Sequence, residues 1–331
     1  MEVRATQRIA SAKELLLACH VSPDGDAIGS LLALGLALSR VGKQITMLCA
    51  DPVPADCRHL PHWEAIVAPS ALKMPPPAQG ALFVSLDCSS VDRLGEAHDA
   101  KRLDGMPIVN LDHHPTNTNF GEVNWVEPTA AATAQMLVHL IRSLHIPLDV
   151  EIATCLLHGI LSDTLGFRTP NTTPDVLRTA TELVELGAPL SYLSDRIFNQ
   201  RPLETIRLWS LALQQLTLEG RILSSEITNQ MRQLVGYDQE GDAGLVNYLN
   251  TANEADIAVV FSELQDGQIS VSLRSASGFD VSRVAVELGG GGHAQAAGCT
   301  LPGPLEAAKA SVLPLLRQAW SAQVPGSRLA P

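Results

Sequence analysis

Ten residues near the N-terminus, Cys19-His20-Val21-Ser22-Pro23-Asp24-Gly25-Asp26-Ala27-Ile28, bring one imidazole and two carboxylates into a single turn. Asp87 ends a separate apolar run, Asp112-His113-His114 ends another, and Asp163 lies in an otherwise apolar helical stretch. A divalent cation is one physical reason for such groups to converge. Roughly one imidazole plus several carboxylates per ion suits a hard-to-borderline cation, Mn(II) ahead of Mg(II) or Co(II), rather than a cysteine-rich zinc site. Asp carboxylates can bridge. The candidates His20, Asp24, Asp26, Asp87, His113 and Asp163 therefore suit two ions about 3.5–4 Å apart, the arrangement used for displacement at phosphorus. His114 sits beside a ligand and is free to point elsewhere, so it can stabilise charge or protonate a leaving oxygen. His114 and Asp163 are the expected catalytic residues.

These residues need elements that hold them. Leu15 to Cys19 is a short apolar run bounded by polar residues and reads as a buried strand, with His20 at its C-terminal end. Ala27 to Val41 reads as a helix, and strand–turn–helix opens an α/β fold whose ligands collect beyond the carboxyl ends of the strands. Gln44–Ala50, Ala81–Leu86 and Pro107–Leu111 read as further strands, and Pro75-Pro76-Pro77 stiffens the connection into Ala81. Three apolar strands thus end in metal-capable residues: His20, then Asp87, then Asp112-His113-His114. Thr129 to His145 and Asp149 to about Phe167 read as helices. The second is apolar on nearly all sides, so Asp163 is expected to be buried and in need of a cation or a donor. Asp112 is expected to orient a histidine rather than bind metal.

The N-terminal domain is expected over 1–188, a polar linker over 189–202, and a smaller α/β domain over 203–331. In the latter, Asp266-Gly267 between two strand-like runs reads as a hairpin turn. Gly289-Gly290-Gly291-Gly292-His293 reads as a loop whose four glycines packing does not require; they let backbone amides approach an anion. Gly291, Gly292 and His293, with Arg274 at a strand end, are the expected substrate-phosphate contacts of this domain. Arg168, in a polar loop after the Asp163 helix, is a weaker candidate.

The 331 residues carry 23 Lys+Arg against 35 Asp+Glu, a net charge of −12, which is not the footprint of a protein that tracks long nucleic acid. A short anionic substrate held by metal and a few basic groups is compatible with it. Six cysteines form no CxxC pair and lie mostly in apolar runs, as small buried hydrophobes do. The N-terminus resembles neither a signal peptide nor a spanning helix, so a cytoplasmic location without membrane contact is expected.

His20-x-x-Pro-Asp-Gly-Asp, Asp87, Asp112-His113-His114 and Ser162-Asp163 resemble the four motifs of the DHH phosphoesterase superfamily, and Gly289 to Gly298 resembles its DHH-associated C-terminal domain. Within the superfamily the chain most resembles the two-domain nanoRNase/pAp phosphatase type, over nearly its whole length. The resemblance implies a di-manganese hydrolase with the active site in the cleft between the domains. It assigns one ion to His20, Asp24 and Asp87, the other to Asp26, Asp87, His113 and Asp163, and substrate contacts to His114, Arg168, Arg274 and His293. It implies hydrolysis of oligonucleotides of a few residues to mononucleotides, and of 3′-phosphoadenosine 5′-phosphate. The same motifs would serve a phosphodiesterase for cyclic dinucleotides such as cyclic di-AMP or their linear products. A processive RecJ-type exonuclease, an inorganic pyrophosphatase and a non-catalytic nucleotide-binding protein fit less well. Expected partners are short RNA or DNA oligonucleotides and nucleotides; a homodimer is compatible with the chain, although no apolar stretch marks its face.

Overall fold

In the computed structural model, which describes residues 1–71, 80–98 and 105–323, the chain divides into two units, Met1–Gln200 and Arg201–Pro331. The Pro75-Pro76-Pro77 connection lies outside the described residues.

Strands β1 (Glu14–Ala18), β2 (Gln44–Leu48), β3 (Ile66–Val67), β4 (Leu82–Leu86), β5 (Ile108–Asp112) and β6 (Val123–Val126) form the sheet of the first unit. Their order is β3-β2-β1-β4-β5-β6, and every pair is parallel. β4 is buried along its whole length, as a strand covered on both faces must be. Because β1, β4 and β5 are parallel neighbours, the three polar strand ends emerge side by side at one edge. This single topological fact gathers the site.

The helices are α1 (Glu2–Ser11), α2 (Gly25–Arg40), α3 (Thr133–Ser143), α4 (Val150–Asp163), α5 (Pro174–Glu185) and α6 (Leu190–Ser194). Asp24 caps α2: its Oδ1 accepts from the Asp26 and Ala27 amides at 3.1 and 3.0 Å. α2 is buried almost all round, and it crosses α4 at glycines. A Cβ on Gly29 would lie 2.5 Å from the Cys155 carbonyl, and one on Gly159 would lie 2.6 Å from Asp26 Oδ1 and 2.7 Å from Ala134 Cβ. Gly159→Ala should therefore lose stability even though alanine favours a helix: overpacking of about 1–3 kcal/mol exceeds the propensity gain of about 1 kcal/mol. Thermal denaturation should show the lower midpoint, and an unchanged or higher one would mean that α4 relaxes without moving Asp26.

The expected linker differs in character. Residues Leu190–Ser194 are α-helical and Asp195–Asn199 form a π-turn, with Leu193 fully buried in the core of the first unit. Polar composition hid one anchoring leucine.

The second unit contains α7 (Leu203–Ala212), β7 (Thr217–Glu219), β8 (Ile222–Ile227), α8 (Asn229–Val235), α9 (Leu245–Leu249), β9 (Ile257–Glu263), β10 (Gln268–Ser275), α10 (Ser282–Glu287), β11 (Gly291–His293), β12 (Ala296–Pro302) and α11 (Leu305–Gln323). The sheet order is β11-β12-β10-β9-β8-β7, with β8–β9 the parallel pair and the others antiparallel. β9 feeds two cores by alternation: Ile257, Val259 and Phe261 face one, Ala258 and Val260 the other. Asp266-Gly267 turns between β9 and β10, with Gly267 at φ +84°.

Packing accounts for two of the four glycines in the run, and backbone conformation for a third. Gly289 follows α10 at φ +81°, where a left-handed residue ends a helix. A Cβ on Gly290 would lie 2.1 Å from the Gly298 carbonyl, and one on Gly292 would lie 2.5 Å from that of Ala296. Gly289 and Gly291 look onto open space in this sense, and of the two only Gly291 has no positive φ to require a glycine. Antiparallel pairing of β11 with β12 is what demands the small residues.

Candidate active site

His20 follows β1 directly, and its Nδ1 lies 2.7 Å from the Val21 carbonyl. A carbonyl only accepts, so Nδ1–H donates to it and Nε2 faces the acids: Asp24 Oδ2 at 3.8 Å and Asp87 Oδ2 at 3.7 Å. Arg93 Nη2 lies 3.0 Å from the same Nδ1. Burial opposes a proton on His20, but Asp87 and then Asp24 outweigh it and raise its pKa to about 9.

Asp87 is the hub. It is buried and sits at φ +55°, a left-handed conformation that is costly for a non-glycine residue and that clusters at functional sites. Its Oδ2 faces His20, while Oδ1 accepts from Thr133 Oγ1 at 3.0 Å and lies 3.5 Å from His113 Nε2 and 3.7 Å from His114 Nδ1. Burial alone would raise its pKa; the charges of His20, His114 and His113 hold it far below the usual carboxylate range.

Asp26 is fully buried and carries a second duty. Its Oδ2 accepts from the Thr133 amide at 2.5 Å and its Oδ1 from the Ala134 amide at 2.9 Å and Ser30 Oγ at 3.2 Å. The residue before α3 is Ala132, which has no capping side chain, so Asp26 caps that helix from another part of the chain. Burial and the neighbouring Asp87 and Asp163 carboxylates push its pKa well up.

His113 holds its backbone N–H on Asp112 Oδ1 at 2.9 Å, its Nδ1 3.3 Å from the Ala130 carbonyl, and its Nε2 3.0 Å from Asp163 Oδ2. The Asp163 side chain is 19% exposed, so it is not the buried carboxylate expected of its helix; Asp26 and Asp87 are. Its place at the C-terminal end of α4 opens one side. Desolvation still raises its pKa to about 6 against the pull of His113.

Asp112 holds His114, and its ligand atom lies within 4.8 Å of those of His114 and Asp87. His114 Nδ1 lies 2.7 Å from Asp112 Oδ1, while Asp112 Oδ2 accepts from Asn117 Nδ2 at 2.5 Å and Asn117 Oδ1 accepts from Asn110 Nδ2 at 3.0 Å. This chain fixes the His114 tautomer, with the hydrogen on Nδ1. Asp112→Asn should then lower kcat by about 10²–10⁴-fold, the span of general acid catalysis, while bound metal stays constant. Loss of metal in step with kcat would show instead that Asp112 supports the ligands.

Asn117, Asn110, Thr133 and Arg93 were not legible as site residues. Asn110 lies within β5 and the others in turns or at helix starts, none with a chemical motif of its own, and only the fold brings each near. Arg168 turns away onto the Leu165 carbonyl, 2.5 Å from its Nε, and over the Phe198 ring at 5.5 Å. In the second unit, Arg274 lies on β10 and His293 on β11 opposite Ala296.

The donor set fits cations. Ligand atoms of His20, Asp24 and Asp87 lie within 4.8 Å of one another, as do those of Asp26, Asp87 and His113. Asp87 belongs to both groups, and Asp163 joins the second through His113. The His20–Asp24, His20–Asp87 and His113–Asp87 separations of 3.5–3.8 Å exceed hydrogen-bond lengths and suit donors that share an ion.

A parallel sheet whose adjacent strand ends carry such a cluster, joined to a second mixed-sheet unit, defines an α/β phosphoesterase. A family model described as the DHH family, N-terminal domain, matches residues 14–160, and one described as the DHHA1 domain matches residues 230–321. The bifunctional oligoribonuclease and PAP phosphatase NrnA of Thermus thermophilus is 39% identical over 312 residues, 92% of this chain and 89% of the relative. The chain belongs to the DHH family. An exopolyphosphatase-related protein from Bacteroides fragilis shares the fold with a TM-score of 0.84 at 24% identity, over 97% of this chain and 95% of that one. RecJ from Thermus thermophilus in complex with Mn2+ aligns with a TM-score of 0.55 at 15% identity, over 98% of this chain and 55% of that one. No helix among the described residues is long and apolar enough to cross a membrane.

Proposed function

We propose that the protein hydrolyses short RNA or DNA oligonucleotides to mononucleotides and removes a phosphate from 3′-phosphoadenosine 5′-phosphate, with two Mn(II) ions. The observation that carries this is Asp87, whose two oxygens face two separate donor sets. The relative from Thermus thermophilus supports the substrate class, and RecJ, which binds Mn2+, supports the metal. His20, Asp24 and Asp87 would hold one ion, and Asp26, Asp87, His113 and Asp163 the other. Such ions supply Lewis acidity that makes water a nucleophile at neutral pH and neutralise charge at phosphorus.

The chain's own residues do the rest. Asp87 fixes the spacing of the two donor sets, and Asp26 ties its set to the start of α3. His114, with Nδ1–H on Asp112, in its protonated form gives a proton from Nε2 to the leaving ribose oxygen. Water attack forms one P–O bond, breaks another, and leaves a phosphomonoester and a hydroxyl. Arg274, Gly291, Gly292 and His293 are the phosphate contacts assigned to the second unit, and Arg168 the one assigned to the first. Six cysteines, all free and buried, accord with the cytoplasm, which belongs to the same proposal.

The test is a Mn(II)-supplemented time course on an RNA dinucleotide, a five-mer, a twenty-mer, 3′-phosphoadenosine 5′-phosphate and cyclic di-AMP, with Asp163→Ala as the blank. Mononucleotide release from the dinucleotide and five-mer, absent in the variant, is the expected result. Release of phosphate from the fourth substrate supports the phosphatase activity. Comparable turnover of the twenty-mer would sink the short-substrate assignment, and faster opening of the cyclic dinucleotide would move the protein to signalling. Metal bound with no turnover of any substrate would make it a nucleotide-binding protein.

A further inference from the structure

In the second unit, Arg274 is held in one orientation: its Nε donates to Asn247 Oδ1 at 2.7 Å and its Nη1 to the Leu273 carbonyl at 2.9 Å. Asn247 lies on α9, and the next residue is Tyr248, 53% exposed. One face of the Tyr248 ring is stacked on Trp209, with centroids 5.6 Å apart and planes inclined by 27°. Trp209 is fixed in turn by Nε1 donating to the Ala243 carbonyl at 3.2 Å and by packing on the apolar core beneath. The chain has only 3 Tyr and 4 Trp, yet two of these seven form a rigid pair with a ring at the surface. A guanidinium with set direction, joined through one neighbouring residue to a half-exposed, buttressed aromatic ring, matches the two ends of a nucleotide. Phosphate binds the cation, and a base has a π-face for the ring.

We infer that Tyr248 is a nucleobase platform, on whose outer face the base of a bound nucleotide stacks while Arg274 takes its phosphate. This rests on the assignment of Arg274 to substrate phosphate under the proposed function, and it adds a preference for nucleotides over other phosphate esters without selecting among bases. Stacking is tolerant of sequence because every base offers a π-face. Leu203 and Ile206, exposed on α7 ahead of Trp209, offer the rival use of the same surface as a self-association face.

The experiment is calorimetric titration of the full-length, Mn(II)-loaded protein with AMP and with ribose 5-phosphate, which lacks only the base. Wild type should bind AMP about tenfold more tightly, the lower part of the range for stacking on one aromatic ring. Tyr248→Ala should close that gap by weakening AMP alone, and Tyr248→Phe should keep it. Arg274→Ala should weaken both ligands equally. A gap that survives Tyr248→Ala, an equal loss for both ligands in that variant, or no loss for either in Arg274→Ala overturns the inference. So does a Tyr248→Ala protein that changes only in sedimentation mass, which would assign the surface to a second copy of the chain. Dinucleotide turnover by wild type is measured in parallel; its absence beside an intact AMP preference would reject the hydrolase assignment and leave the platform standing.

Discussion

Asp87→Ala should lower kcat by about 10⁴-fold or more and leave the protein with fewer than two bound ions. The expectation follows from position, not from charge alone. One Asp87 oxygen faces His20 and the other faces His113, so truncation removes a donor from both groups at once. A loss of about 10⁴ corresponds to about 5.5 kcal/mol of transition-state stabilisation, in proportion to losing cations that neutralise charge at phosphorus. The substitution also removes one of the carboxylates that favour the protonated forms of His20, His113 and His114, beside Asp24, Asp163 and Asp112 respectively, so all three should titrate lower in the variant. Metal content by mass spectrometry, kcat on a dinucleotide, and histidine titration by NMR check the three consequences separately. A variant that keeps two ions and more than about a tenth of wild-type kcat would remove Asp87 from the centre of the site.

The second large effect is a pH dependence of opposite sign in stripped and loaded protein. In the metal-free protein the His20 pKa stands at about 9, since Asp87 and Asp24 outweigh the effect of burial, whereas the unfolded value is about 6.5. A raised folded pKa means that the stabilisation is fully present below about 6.5 and is lost as pH rises through about 9, on the order of 3 kcal/mol. Asp163, raised to about 6 chiefly by desolvation, acts in the same direction at lower pH. Its contribution is present below the unfolded value near 3.9 and is lost as pH rises through about 6. Cations compete for the same atoms, so each of these deprotonations strengthens metal binding. Between pH 6 and 9 the melting temperature of stripped protein should fall while the gap to Mn(II)-loaded protein widens. Melting curves with and without chelator across that range decide it; a constant gap would mean that no proton leaves when metal binds.

The ends of β1, β4 and β5 were legible because each is an apolar run that stops at chemistry, and parallel pairing of neighbours then brings the ends together. Asp24-Gly25-Asp26 was legible for the same reason. Asp26 as the cap of α3 was not, because its partners Thr133 and Ala134 lie more than a hundred residues away. Burial pointed to the wrong carboxylate: an apolar helix suggested that Asp163 is enclosed, whereas the turn after it leaves an opening and Asp26 and Asp87 are enclosed instead. In the second unit Ala296–Pro302 has no strand-like composition. It is a strand because β10 pairs along it from Gln268 to Arg274, and the pairing of β11 on its other edge dictates small residues at Gly290 and Gly292. Local sequence carries no record of such tertiary demands.

The cap that Asp26 supplies to α3 ties the history of the scaffold to that of its chemistry. A descendant that abandoned hydrolysis would be freer to drift at His20 or His113, whose Nε2 atoms face only the acids of the site. Position 26 would not be free: replacing it strands two buried backbone amides at the start of a core helix, at about 1–3 kcal/mol each. An inactive paralogue should therefore still carry aspartate there, as a fossil of the acidic cluster kept by the fold, and that lone residue is not a sign of retained activity.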